Sequence, residues 1–498
     1  MAKTNLSEWA LKHSELMIFF MVMIMAAGTN AYFHLGRNED PEFTIKTMVV
    51  QAYLPGATVE ETLQQLTDRV EKKLQETPSL DYIKSYTLAG QTTIFIHLLT
   101  STPKKDVPDI WYQVRKKIGD RATSLPQGTV GPFFNDEFGD TYGIIYAFTS
   151  DGFSHRELKD YVEKVRDELL HVQNVSKIET LGAQDEKVFV EFSSHELAKL
   201  GIDRAAIIAA LQYQNAIAPS GAVDTAKEKI LVQVTGKFES VQDIENVTLY
   251  VGQKKIRLGD IAAVTRGYAD PPQPRFRMNG KDAIGLAISM RKGGDILALG
   301  QNIEKKMNEL RATLPAGIDA HLVANQPKVV HDAVDDFMEA LIEAVAIVLA
   351  ISFLSLGLRA GAVVAFSIPL VLAVVFVGMQ IWGIDLQRVS LGALIIALGL
   401  LVDDAMITVE SMVTKFEQGW SAVKAATFAY TSTAFPMLTG TLVTIIGFVP
   451  IGFAKSDAGD YTFSLFAVVA IALLVSWFVA VLFAPIIGVQ LLKHKKGH

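Results

Sequence analysis

The chain has 498 residues, half of them hydrophobic, and 53 acidic against 46 basic side chains give a formal net charge of -7. This mild acidity, without a long basic block, argues against nucleic acid as a partner, and the absence of cysteine excludes disulfides, thiolate metal sites and cysteine nucleophiles. A wholly soluble protein is excluded too, because the apolar residues collect at the two ends and leave roughly 300 residues of globular composition between Asn38 and Asp336.

The first apolar run, Leu16 to Phe33, follows Lys3 and Lys12 and continues into bulky Tyr32 and Phe33 without an A-x-A-like cleavage site. It reads as an uncleaved spanning helix rather than a signal peptide. Three stretches beyond it repeat one pattern, an alternating strand, an amphipathic helix and a returning strand. They start at FTIKTMVVQAYL, at YGIIYAFTS and at AIGLAISM, with helices at Val59 to Glu76, Ser154 to Leu170 and Ile296 to Leu314. A further helix, Val107 to Ser124, and a strand near Val130 to Phe134 complete the first unit as strand-helix-strand-strand-helix-strand, a ferredoxin-like α+β arrangement. The second and third stretches make another copy, interrupted by an insertion with a helix at His195 to Asn215, a Pro219/Gly221 turn and short strands.

Five more candidate spans follow: Phe337 to Leu358, Ala360 to Trp382, Ser390 to Met412, Phe435 to Phe453, and a long one from Thr462 to Leu492. With the N-terminus inside, Lys3, Lys12, Arg359, Lys415, Lys424, Lys493, Lys495 and Lys496 flank the inner face, while the outer short loops hold Arg388 and Lys455. That asymmetry places both termini in the cytoplasm and the large domain outside, in the periplasm for a bacterial chain. The fold class expected is six transmembrane helices plus an α+β region. Residues 1–37 form the N-terminus and first span, 38–134 one ferredoxin-like subdomain, 135–193 with 283–330 a second, split one, 194–282 the insertion, and 331–498 the remaining spans.

The fourth span, SLGALIIALGLLVDDAMITVESM, carries Asp403 and Asp404 side by side. On insertion scales a central Asp costs roughly 2.5 to 3.5 kcal/mol, while each Leu or Ile returns only about 0.3 to 0.6. Structure alone gains little from such a pair, although one competing reading is a buried ion pair that fixes helix packing. A carboxyl group in low dielectric exists protonated or ionised according to its neighbours, which is what a proton-coupled machine requires. At 100° per residue Gly392, Gly399, Asp403 and Glu410 share one stripe, the glycines inviting close approach of another helix, while Thr408 lies one turn from Asp404. No Lys or Arg lies within a span, so the counter-charge comes from another polypeptide, from a missing region, or is absent. His494 and His498 sit in a basic tail that reads as solvated, and no nucleophile-elbow, phosphate-loop or zinc signature points to an enzyme or a cofactor.

With these residues in place the chain resembles the resistance-nodulation-division superfamily of proton-driven exporters, in its hydrophobe and amphiphile (multidrug) branch. The resemblance rests on GALIIALGLLVDDAMITVESM in the fourth span, YLPGATVEETLQQLTDRVEKKL at Tyr53 to Leu74, LGIDRAAIIAALQYQNAIAPSG at Leu200 to Gly221, and the closing LFAPIIGVQLL. Heavy-metal exporters usually keep one acid of the adjacent pair, so Asp403 and Asp404 favour the multidrug branch.

The resemblance implies an inner-membrane homo-trimer with porter subdomains, a docking subdomain at 194–282, and periplasmic adaptor and outer-membrane channel partners. It also implies Asp403 and Asp404 as proton relay and no cofactor beyond the proton motive force, while Thr408 and Glu410, by their places on the helix, are candidates to support that relay. Family members are usually about twice as long, and the Lys partner of the relay comes from their second half. This chain is therefore expected to be the N-terminal half of a permease, joined by a second half or subunit that supplies the Lys. Amphiphilic substrates would meet aromatic faces of the porter sheets, with Phe138, Tyr142, Tyr146 and Phe148 as candidates. The rival readings are a non-transporting assembly subunit and an exporter of lipid-like cargo.

Overall fold

The computed structural model describes residues 5–41, 44–215, 219–224, 228–233, 237–251 and 254–492. A short helix, α1 (Leu6–Lys12), leads into α2 (Ser14–His34), the first of six helices long and apolar enough to cross a membrane. Next come β1 (Thr47–Tyr53), α3 (Val59–Thr62) and α4 (Asp68–Leu74) joined by a π turn, β2 (Leu80–Leu88), β3 (Gln91–Leu98), α5 (Val107–Gly119) and β4 (Val130–Asn135). The strands lie in the order β2-β3-β1-β4, every neighbour antiparallel. Alternation puts Met48, Val50 and Ala52 of β1 with Ile94 and Ile96 of β3 on one face, where they meet Leu66, Val70, Trp111 and Val114 from the helices. A capping box between Thr58 and Glu61 fixes where α3 begins.

The second sheet opens with β5 (Ile144–Ser150), α6 (His155–Leu170) and β6 (Val175–Leu181). An inserted unit follows: β7 (Glu186–Phe192), α7 (Ser194–Leu200), α8 (Arg204–Gln214), the pair β8 (Pro219–Asp224) and β9 (Lys229–Gln233), α9 (Val241–Glu245), the pair β10 (Thr248–Val251) and β11 (Lys254–Arg257), and β12 (Ala262–Tyr268). The chain then returns through β13 (Phe276–Met278), β14 (Lys281–Met290), α10 (Ile296–Arg311) and β15 (Ile318–Asn325). The second sheet runs β15-β5-β14-β6, with β13 hydrogen-bonded to β14. Its order, read by sequence position within the unit, is the same as that of the first sheet.

One boundary differs from the sequence reading, which carried the returning strand through to Phe192 and opened the insertion at 194. β7 pairs along its whole length with β12, so it belongs to the inserted unit. The break comes at Gly182, whose left-handed φ of 75° turns the chain away from β6. The turn is then held by the Gln184 N–H bonded to His155 and the Asp185 N–H bonded to Gln273. Residues 225–227, between β8 and β9 in sequence, and His494 and His498 lie outside the described residues.

From β15 the chain passes directly into α11 (Gln326–Leu356), then α12 (Leu358–Trp382), α13 (Arg388–Glu417), α14 (Ala422–Gly452) and α15 (Asp457–Leu482), with α16 (Ala484–Leu491) closing the described residues. The expected sixth span is thus two helices, broken before Pro485, which has no N–H to continue the ladder. The fifth begins 13 residues before the expected Phe435, at Ala422, and within the added length the hydroxyls of Thr427, Thr431, Ser432 and Thr433 bond back to carbonyls three or four residues earlier. Along their most apolar stretches α13 and α15 are each 56% buried, whereas α2, α11 and α14 are only 17% buried. The first two therefore form the centre of the bundle, and α14 presents an open face.

Candidate functional site

Asp403 and Asp404 project from the middle of α13, about one quarter-turn apart, and that angle gives them different surroundings. Asp404 is 7% exposed and points toward α15, where the Ser476 hydroxyl lies 2.7 Å from its Oδ2. The same hydroxyl is 2.8 Å from the Leu473 carbonyl, so its single proton has two acceptors to choose between. With Asp404 ionised, Ser476 donates to the carboxylate. With Asp404 protonated, the acid donates to Ser476, whose own proton turns to Leu473.

Asp403 is exposed on an open cavity of about 390 Å³ between α13 and α14, and Asp404 also contributes to the wall. Ile407, Ser432, Pro436, Met437, Gly440 and Thr441 line it further, and among the described lining residues there is no Lys or Arg. Pro436 cannot donate to the carbonyl of Ser432, which leaves that acceptor of α14 without its helical donor, both residues lying in the cavity wall. Trp477 of α15 anchors the rear by donating its indole N–H to the Ala434 carbonyl at 2.8 Å. The arrangement is a set of acceptors around a space wide enough for an ammonium or guanidinium group, beside one acid that can take up or release a proton.

The other sequence-predicted residues fall in different places. Thr408 is buried, but its hydroxyl lies 3.9 Å from Met437 Sδ on α14, and Glu410 is exposed two turns beyond Asp403. Gly392 and Gly399 do not bring a helix of this chain close: a Cβ on either would meet nothing within 4 Å. Their stripe faces outward beside Asp403, while close packing falls on Gly28 of α2, where a Cβ would collide with Ala373 of α12. Ser476, one of several polar residues scattered through the apolar runs, is the direct partner of Asp404.

The aromatic candidates divide. Tyr146 and Phe148 are 3% and 0% exposed and belong to the core of the second sheet, packed with Leu158, Val162 and Leu169 of α6, so they are not on a substrate face. The strand starts at Ile144, which leaves Tyr142 in the preceding segment, its hydroxyl donating to Glu179 at 2.5 Å. Phe138 is exposed and stacks edge-on against Phe95 of β3, 5.8 Å between centroids. It thereby joins the outer face of the first sheet, where Tyr82, Tyr86 and Phe133 are each more than half exposed. That face follows from the alternation that buries Met48, Ile94 and Ile96, and its signal in the sequence is aromatics at the intervening positions of β2, β3 and β4.

A model of the AcrB/AcrD/AcrF family matches residues 6–498. Protein HelA of Legionella pneumophila is 25% identical over 96% of this chain and 47% of its own length. Multidrug resistance protein MdtC of Klebsiella pneumoniae is 25% identical over 92% of this chain and 45% of its own length. Cobalt-zinc-cadmium resistance protein CzcA of Cupriavidus metallidurans is 26% identical over 96% and 46%. The chain spans about half the length of these relatives. Matched by the family model along nearly every residue, it belongs to the AcrB/AcrD/AcrF family of resistance-nodulation-division permeases.

Proposed function

We propose that this chain serves proton-driven export of hydrophobic and amphiphilic compounds, as the part of a bacterial inner-membrane permease that holds the proton site. It acts as a secondary transporter rather than an enzyme. The observation that carries this reading is the placement of Asp404, buried on Ser476, beside the open cavity that receives Asp403. A basic side chain from another polypeptide segment enters the cavity, binds the carboxylates when both are ionised and withdraws when one is protonated. Proton uptake becomes movement of α13 against the incoming helix, which docks on the open faces of α13 and α14.

The two sheets with their helices act as ferredoxin-like porter subdomains on the periplasmic side, and the unit inserted between β6 and β13 as the docking element for adaptor and outer-membrane channel in a trimeric assembly. The exposed aromatic face of Tyr82, Tyr86, Phe133 and Phe138 suits amphiphiles, which need apolar area with adaptable edges. Likeness to MdtC supports the same substrate class. Likeness to CzcA, at an almost equal identity, supports cation export as the second reading.

The test is export from cells that express the complete system. Asp403→Asn with Asp404→Asn, neutral and nearly isosteric, is expected to abolish efflux of an amphiphilic dye while the protein remains folded in the membrane. Unchanged efflux would instead support a non-transporting subunit. Protection against cobalt, zinc or cadmium without dye export would favour the second reading, and export of lipid alone the lipid-like cargo.

A further inference from the structure

Lys46 lies just before β1 and is the one lysine among the described residues that is buried, its side chain 5% exposed. Its ammonium sits 2.9 Å from Asp457 and 3.4 Å from Asp460 and also donates to the Thr100 carbonyl beyond β3. A lysine is removed from water at a large cost unless it is fully paired, so this contact is specified rather than incidental. Asp457 and Asp460 are three residues apart in the first turn of α15, on one face, where acids also suit the helix N-terminus. A strand end of the first sheet is therefore fastened to the outer end of a membrane helix.

The same helix carries Ser476, the partner of Asp404, roughly 24 to 29 Å further along at the α-helical rise. α15 has no proline between Asp457 and Leu482, unlike α12 and α14, so it moves as a rod rather than bending between its two contacts.

α13, which bears the aspartates, is held at its outer end by the segment before Lys46. The Leu386 N–H bonds to the Gly36 carbonyl at 2.9 Å, the Asn38 side chain to Asp385 at 2.9 Å, and Arg388 pairs with Glu39 at 2.9 Å. Glu39 and Lys46 are seven positions apart. α13 and α15 are thus fastened, at Glu39 and at Lys46, to one short length of chain that leads into β1.

We propose that Lys46 is a positioning residue that transmits the state of the Asp403–Asp404 site to the first sheet, through its grip on Asp457 and Asp460 at the head of α15. The proposal rests on the reading of that site given above. The Asp404–Ser476 hydrogen bond, kept in both protonation states, couples α13 to α15, so that the movement of α13 on proton uptake reaches Lys46 through α15, and Lys46 draws on β1, at the centre of the sheet whose outer face holds Tyr82, Tyr86 and Phe133.

The test is a double-mutant cycle read by hydrogen–deuterium exchange on the full chain in lipid nanodiscs at constant pH. Asp404→Asn stands in for the neutral acid. It is expected to change exchange of the β1 amides by about threefold or more when Lys46 is present, and by much less in a Lys46→Met background, with the effect retained in Lys46→Arg. A purely structural ion pair would leave the Asp404→Asn effect the same with and without Lys46, and that result overturns the proposal, as does an Asp404→Asn that leaves β1 exchange unchanged in the native background. Should Lys46→Met fail to fold, Asp457→Asn loosens the same grip from the other side, with the same two outcomes. No transported compound enters this readout, so a failed export assay and a failed cycle are told apart.

Discussion

The hydroxyl of Ser476 is the smallest part of the proton site and the most exacting, because it must serve both forms of Asp404 with one proton and two acceptors. Ser476→Ala leaves the carboxyl buried without a donor. A hydrogen bond to a charged group contributes roughly 1.5 to 3 kcal/mol, so the substitution is expected to slow export by about tenfold or more. Ser476→Thr keeps the hydroxyl and is expected to restore most of the rate. Initial-rate efflux in the two variants, with substrate affinity measured alongside, checks that the loss lies in turnover and not in binding. At this scale the sequence made the aspartates conspicuous, since two acids in an apolar run are expensive wherever they point. Which of them is buried was not legible, because that depends on which neighbouring helix each one faces. The aromatics show the converse: the alternation of Tyr146 and Phe148 was plain, but alternation alone does not say whether the marked face is core or surface, and here it is core.

Among the elements, long apolar runs and alternating strands were read directly from the residues, and departures came where a local signal competed with the pattern. Pro485 splits the last apolar run, and Gly182 frees β7 to pair with β12. At α13 the stripe of Gly392 and Gly399 is real, but among the described residues nothing packs within 4 Å of where a Cβ would stand on either, while Gly28, unremarked in the first span, makes the close contact. The start of α6 offers a test in solution. His155 Nε2 accepts the Gln184 N–H at 3.3 Å, so the fold holds the imidazole neutral, and its burial lowers its pKa below the ordinary value of 6.5. The unfolded chain then binds the proton more readily than the folded one, so this residue's contribution to stability is complete above about pH 6.5 and falls as the pH drops through that value toward the lower folded one. Thermal unfolding followed across that range is expected to lose stability on acidification in the native protein. It is expected to lose less in His155→Gln, whose amide needs no proton.

Over the whole molecule, the extramembrane units and the helical bundle meet through a few residues just before β1 and through the direct passage of β15 into α11. None of those cross-links was visible beforehand, because Lys46 and Asp457 are separated by 411 positions and each looks like an ordinary surface charge in its own context. The six spans, the repeated sheet and the acidic pair do emerge from periodicity and composition, and the family assignment agrees with them. The account depends on Asp404 exchanging a proton within the bundle. Infrared difference spectroscopy between acidic and neutral buffer, on the protein in lipid, observes that event directly. A protonated-carboxyl band is predicted to appear on acidification and to vanish in Asp404→Asn, whereas an identical band in that variant would contradict the account.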